Sequence, residues 1–297
     1  MSKRIKLFEI PVDKTNKHPK PPNHVLPNHE FTMGIIAPKG SGKTTLICNL
    51  LYLYRGFFNQ IYVFSPTVKN DEKWDWLKKQ KILIKNEALE KWLREKIQKE
   101  KDESTDVVET PDTDAAELIE KHCSHKDTFD GLIPEENFIH DYDSNTLVDI
   151  LKKQDCTVKY LKENGKTKFL ADRMMFIFDD MVGSSLFSSQ RKNPFKMLNT
   201  THRHYSASII MVTQAYMEIP KTIRTNYSCL IVFEIYSDNE IDAIQLEYPM
   251  KLKKPEWLKV YNHCVSKPYG FLYYNIQRAD SRQRIMDCFD NVVYVES

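Results

Sequence analysis

The sequence predicts an α/β protein with a mainly parallel sheet and helices on both faces. Three observations carry that reading. An apolar run from Phe31 to Ala37, a glycine turn and an amphipathic helical stretch lead into a second apolar run at Ile61 to Phe64, which makes a βαβ unit. Three later runs, Met174 to Phe178, Ala207 to Thr213 and Leu230 to Ile235, are almost continuously apolar, as strands covered on both faces must be. Only 8 of the 297 residues are glycine, and three of them (Gly34, Gly40, Gly42) fall within nine positions. A chain so sparing with glycine has concentrated it where the backbone does something unusual.

The elements follow in order. Ile5 to Ile10 reads as an edge strand, and the stretch KTNKHPKPPNHVLPNH after it has too many prolines for helix or central strand. Residues 1–30 are therefore expected to be an arm, and residues 31–297 one domain. After the first strand, TTLICNLLYLY places Leu46, Ile47, Leu50, Leu51 and Tyr54 on one helical stripe, with Gly56 where a C-cap belongs. The second strand ends in Ser65-Pro66-Thr67. Trp74 to about Lys101 reads as charged helix, Asp102 to Asp114 as a mobile acidic loop, and Ala115 to Lys168 as short helices and turns. Long structureless loops are rare inside compact domains, so residues 86–168 are expected to be an insertion, partly helical and partly disordered. Gly270 to Ile276 and Asn291 to Val295 complete the strands.

Composition narrows the function. Hydrophobic residues make up 41% and charged residues 28%, enough for a sizeable core and too apolar for a disordered chain. Mean hydropathy is -0.53, and no apolar run approaches the ~18 residues of a membrane span. The opening residues MSKRIKLFEIPVDK lack a secretory signal. The six cysteines are scattered without a C-x-x-C pair, which suits a reducing compartment and argues against a disulfide framework or zinc ribbon. An exported or membrane protein is not expected.

Charge is unevenly spread. Asp102 to Glu120 holds eight acidic residues and no Lys or Arg, and this masks a basic remainder behind a net charge of +2. Residues 1–20 carry six Lys or Arg against two acids, and Pro249 to Arg284 carries eight against two. Such ends are either ordinary solvated faces or an electropositive surface for nucleic acid.

Ala37-Pro38-Lys39-Gly40-Ser41-Gly42-Lys43-Thr44 fits the phosphate-binding loop, with Ala37 in place of the usual first glycine. Small residues let successive backbone N–H groups converge on a phosphate at the positive end of the following helix. Lys43 would reach the β and γ phosphates of ATP, Thr44 would offer its hydroxyl to Mg²⁺, and Thr45 continues the cradle. The strand Met174 to Phe178 ends in Asp179 and Asp180, where open α/β sheets bind ligands. Asp179 would hold Mg²⁺ through its water shell, and Asp180 would orient or deprotonate the attacking water. Gln214, at the end of the Ala207 to Thr213 strand, could hydrogen-bond the γ-phosphate or that water.

The succession APKGSGKTT, IYVFSPT, FIFDDM, HRHYSASIIMVTQ and IPKTIRTNYSCLIVF resembles the genome-packaging ATPases of poxviruses and other large double-stranded DNA viruses and virophages, within the FtsK–HerA superfamily. It covers roughly residues 31–85 and 170–240. The resemblance implies a RecA-like P-loop NTPase core, usually a homo-oligomeric ring, that pumps double-stranded DNA into a preformed capsid. Its partners would be duplex DNA and a capsid, portal or vertex protein, and its location the virion or the host-cell assembly site. Ring motors commonly borrow an arginine from a neighbouring subunit. Arg203 in THRHYS and Arg224 in PKTIRTN stand ahead of strands and are the candidates, with Arg203 first because the Arg-His pair matches the family. Two other classes compete: a nucleoside or nucleotide kinase on the same fold, and a nucleotide-gated capsid scaffold. The paired carboxylates favour activating water over phosphorylating a substrate hydroxyl.

Weaker constellations are expected to be structural. His122-Cys123-Ser124-His125 lacks partners at zinc spacing, and Trp74, Trp76 and Trp92 sit beside apolar periodicity as core residues do. Arg278, Arg282 and Arg284 read either as a kinase lid or as exposed DNA-facing charge.

Overall fold

A computed structural model describes residues 17–103, 129–181, 184–188 and 193–293. The expected Ile5 to Ile10 strand, most of the acidic run (from residue 104 onward) and the His122 to His125 cluster lie outside the described residues.

Strands and helices alternate through β1 (Thr32–Ile36), α1 (Lys43–Leu53), β2 (Gln60–Phe64), α2 (Glu72–Lys78), α3 (Glu87–Glu103), β3 (Phe138–Ile139), α4 (Ser144–Glu163) and β4 (Met174–Asp179). They continue with α5 (Pro194–Thr201), β5 (Ala207–Thr213), α6 (Lys221–Arg224), β6 (Cys229–Phe233), α7 (Asp238–Glu247), α8 (Lys254–Val265), β7 (Phe271–Asn275), β8 (Ile285–Asp287) and β9 (Asn291–Val292). Among the described residues these strands form one sheet in the order β3-β2-β4-β5-β1-β6-β7-β8-β9. The first six in that order are parallel, so all their carboxyl ends share one edge. From β6 onward the pairing is antiparallel.

Alternation along the buried strands divides the core in two. Ile35, Ile177, Val212 and Ile231 face α1 and α2, packing with Ile47, Leu51 and Trp74. Ile36, Phe178, Met211 and Val232 face the other way, onto Leu151 of α4, Phe195 of α5, Ile244 of α7 and Trp257 of α8. Gly34 allows close approach on the second face, because a Cβ there would come within 2.4 Å of the Tyr227 ring.

The expected charged helix from Trp74 to Lys101 is broken. Between α2 and α3 the chain runs extended; the Ile82 and Leu83 N–H groups donate to the Gly131 carbonyl, Ile84 N–H donates to the Phe58 carbonyl, and Ile82 is fully buried. The segment gains more by burying Ile82 in the core than by continuing an exposed helix. In residues 86–168, α3 packs Leu89 and Leu93 against Leu161 and Ala171. Two features there are more regular than short turns: α4 is a single 20-residue helix capped by the Asp143 carboxylate, and β3 extends the parallel sheet. β8 has no counterpart in the sequence reading. At three residues it is too short to show alternation. Helix α1 ends at Leu53, and Gly56 turns with φ +71° two residues beyond the Tyr54 cap. Of the tryptophans, Trp74 is fully buried, Trp92 packs edge-on to Tyr160, and Trp76 is 45% exposed beside Tyr52.

Candidate nucleotide site

The phosphate loop joins β1 to α1 at the carboxyl edge. Ala37 N–H donates to the Thr213 carbonyl at 2.9 Å, which ties the start of the loop to the end of β5. Gly40 and Gly42 take φ +83° and +90°, a conformation side chains resist, and the Ser41 hydroxyl donates back to the Pro38 carbonyl at 2.7 Å. Lys39, Gly40 and Thr45 are exposed, whereas Thr44 is buried. No acidic residue stands in the first turn of α1, so its free N–H groups meet no competing side-chain anion there.

Because β5 lies between β1 and β4, its carboxyl end brings Gln214 between Lys43 and the two aspartates. Lys43 Nζ lies 2.9 Å from Asp180 Oδ2, and Gln214 Nε2 donates to the same oxygen at 2.5 Å. Asp180 itself has φ +54°, held by its N–H donating to the Val212 carbonyl. Asp180 Oδ1 has no hydrogen-bond partner among the described residues.

Asp179 is different. It is 1% exposed, its Oδ2 accepts from the Ser65 hydroxyl at 2.9 Å, and its Oδ1 is buried without a partner. Burial pushes its carboxyl up from 3.8 to about 6, against the pull of the Lys43 charge and the Ser65 hydrogen bond. An orphaned carboxylate oxygen at the end of the strand neighbouring β5, at the same edge as the phosphate loop, fits a divalent cation shared with phosphate. Among the described residues no group of three or more His, Cys, Asp or Glu could hold a metal without such help. Mg²⁺ commonly keeps several waters and binds through one or two protein ligands plus substrate phosphates.

The two arginines do not join this cluster within the chain. Both precede their strands and lie toward the opposite, amino edge of the sheet. Arg203 is exposed, with no partner for its guanidinium among the described residues. Arg224 is engaged: its Nε and Nη2 donate to both Glu247 oxygens at 2.8–3.2 Å, and its Nη1 to the Ile219 and Met217 carbonyls. A guanidinium so fully used is a structural tie between α6 and α7, and serving a neighbouring subunit would require it to leave Glu247.

Sequence reasoning missed Ser65 as part of the site. It is fully buried at the end of β2, bonded to Asp179 and to the Thr67 hydroxyl, which in turn accepts from Trp74 Nε1. A Ser-Pro-Thr at a strand's carboxyl end was the available signal. Tyr269, whose ring lies against Gly42, was missed for want of one. At the amino edge Lys20, His24 and Arg278 line a cavity of about 720 Å³ without a carboxylate. Arg282 pairs instead with Asp280.

Among the described residues no helix is long and apolar enough to cross a membrane. A family model described as Poxvirus A32 protein matches residues 126–291, more than half of the chain. That match begins beyond the phosphate loop, so the loop is read from its own residues and geometry. The uncharacterized protein 075L of Invertebrate iridescent virus 6 is 28% identical over 164 residues, 54% of this chain; the chain spans 58% of that relative's length. The genome packaging NTPase B204 of Sulfolobus turreted icosahedral virus 2, solved with AMP, aligns over 83% of this chain and 92% of its own, at 11% identity and TM-score 0.46. B204 of Sulfolobus turreted icosahedral virus, a DNA-packaging ATPase, aligns over the same shares at 15% identity and TM-score 0.46.

Proposed function

Because the chain belongs to the Poxvirus A32 protein family, we propose that it is a Mg²⁺-dependent ATPase that drives double-stranded viral DNA into a preformed capsid. One observation carries the enzymatic part: Lys43 and Gln214 converge on Asp180 Oδ2, directly beside the buried Asp179. A phosphate-binding scaffold would need the loop and its lysine, but not a second carboxylate with an amide aimed at it.

The residues divide the work. Pro38 to Thr45 cradle the triphosphate with backbone N–H groups and the α1 amino end. Mg²⁺, held by Thr44 and Asp179, would neutralise charge on the β and γ phosphate oxygens. Lys43 is drawn from Asp180 toward those phosphates, since a polyanion outcompetes a single carboxylate for its ammonium. That frees Asp180 to accept the proton of the attacking water, while the Gln214 amide holds the water in line. Arg203, exposed and without a guanidinium partner among the described residues, remains the candidate cation supplied to a neighbour's site; this requires a ring in which the amino edge of one subunit approaches the carboxyl edge of the next. We take residues 1–30 as an arm and 31–297 as the motor domain, acting with a capsid or portal protein where virions assemble. DNA contacts are expected to be to phosphates, through the lysine- and arginine-rich ends, and therefore salt-sensitive.

The test is the ATPase rate of the full chain with and without duplex DNA, alongside its mass with a non-hydrolysable ATP analogue. Stimulation by DNA together with a ring-sized mass is the expected result. A monomer whose rate ignores DNA but rises with a nucleoside acceptor would make it a kinase.

A further inference from the structure

Tyr269 is 71% exposed, in the turn between α8 and β7. The first residue of β7, Phe271, pairs with Phe233 at the end of β6, so Tyr269 stands at the same edge as the phosphate loop. Its ring lies against that loop: a Cβ built on Gly42 would sit 3.3 Å from it. The side chain has no hydrogen-bond partner among the described residues, so neither burial nor bonding explains a tyrosine here. Its backbone has φ +61°, where a bulky side chain is an outlier and glycine or asparagine is the ordinary choice. Strained residues of this kind collect at ligand clamps, where the surrounding structure holds them in place.

The sheet order gives the site a direction. Asp179, Asp180 and Gln214 end β4 and β5 on one side of β1, and β6 and β7 lie on the other. A triphosphate whose γ-phosphate reaches Asp180 and Gln214 must carry its nucleoside the opposite way, toward β6, β7 and Tyr269. We propose that Tyr269 is the stacking platform for the nucleotide's purine base. The proposal rests on reading the loop as a nucleotide site. Stacking uses only the π-face of a base, so the platform accepts adenine and guanine alike and leaves discrimination between them weak.

Calorimetric binding to the full chain, with Mg·ATP, Mg·GTP and inorganic tripolyphosphate as probes, tests this. Tyr269→Ala should weaken both nucleotides by about ten- to a hundredfold and leave tripolyphosphate unchanged, while Tyr269→Trp keeps nucleotide affinity. Unchanged tripolyphosphate binding also shows that the variant's loop is intact. ATP binding by Tyr269→Ala at the wild-type level overturns the platform but spares the phosphate site. An equal loss of tripolyphosphate overturns it too, making Tyr269 a support of the loop. A wild-type chain that binds none of the three sinks the nucleotide reading and the platform together.

Discussion

His29 and Asp179 are both buried, ionisable and held at opposite edges of one sheet, yet their surroundings differ. His29 Nε2 faces the Ser206 carbonyl at 3.0 Å and must carry the proton, so its Nδ1 accepts from the Ser208 hydroxyl at 2.8 Å. The same hydroxyl oxygen accepts from the Glu30 and Phe31 N–H groups. Burial holds His29 neutral, well below its ordinary pKa. Around Asp179 nothing closes the circuit: one oxygen has Ser65, the other has no partner, and burial raises its pKa to about 6. At His29 the polar groups are spent on fixing the arm to β5. At Asp179 one carboxylate oxygen is kept in reserve, as a ligand site requires.

The sharpest way to break this contrast is at the loop. Lys43→Ala should lower ATP turnover by about a hundredfold or more in a steady-state phosphate-release assay, because it removes the cation facing the β and γ phosphates. Retained turnover would mean that the carboxyl edge is not the reactive one.

Next in size is Arg224→Ala, which leaves the largely buried Glu247 carboxylate with only the Tyr216 hydroxyl in place of its guanidinium. Chemical denaturation should show a loss of about 3–5 kcal/mol. Arg203→Ala should lie within about 0.5 kcal/mol of wild type, as surface substitutions do, while lowering turnover in the assembled protein. If the two effects were exchanged, the assignment of one arginine to structure and the other to function would be reversed.

The smallest expected effect concerns pH. Asp179 has a folded pKa raised above its unfolded value, so the folded chain holds the extra proton between about pH 4 and pH 6, and stability rises as pH falls through about 6. His29 has a depressed folded pKa, so below about pH 6.5 only the unfolded chain takes its proton, and stability falls. The two oppose each other in the wild type. Asp179→Asn should raise stability at about pH 8 by roughly 1–3 kcal/mol and leave a steeper decline toward about pH 5. A variant less stable than wild type at about pH 8 would show that Asp179 is a structural carboxylate.

Lys43, Asp179, Asp180 and Gln214 were legible in the sequence because each directly follows an apolar strand or its glycine turn, and a parallel sheet gathers such ends at one edge. Ser65 was legible only as a strand-end residue, and Tyr269 not at all, since their proximity to Asp179 and Gly42 depends on strand order, which periodicity does not encode. The break between α2 and α3 was hidden because charged residues flank Ile82 on both sides at helical spacing. In the sequence Arg224 stands as a candidate beside Arg203; only the packing of α6 against α7 reveals its partner 23 residues away.

The most direct test of the central claim is a pair of measurements on Asp180→Asn: Mg·ATP affinity and single-turnover hydrolysis, each beside wild type. Asn cannot accept the proton of the attacking water but leaves the loop, Lys43, Thr44 and Asp179 in place. Unchanged or tighter ATP binding, with hydrolysis reduced by about a hundredfold or more, is the predicted result. Hydrolysis at the wild-type rate would contradict the account, because the carboxylate on which Lys43 and Gln214 converge would then have no part in the chemistry.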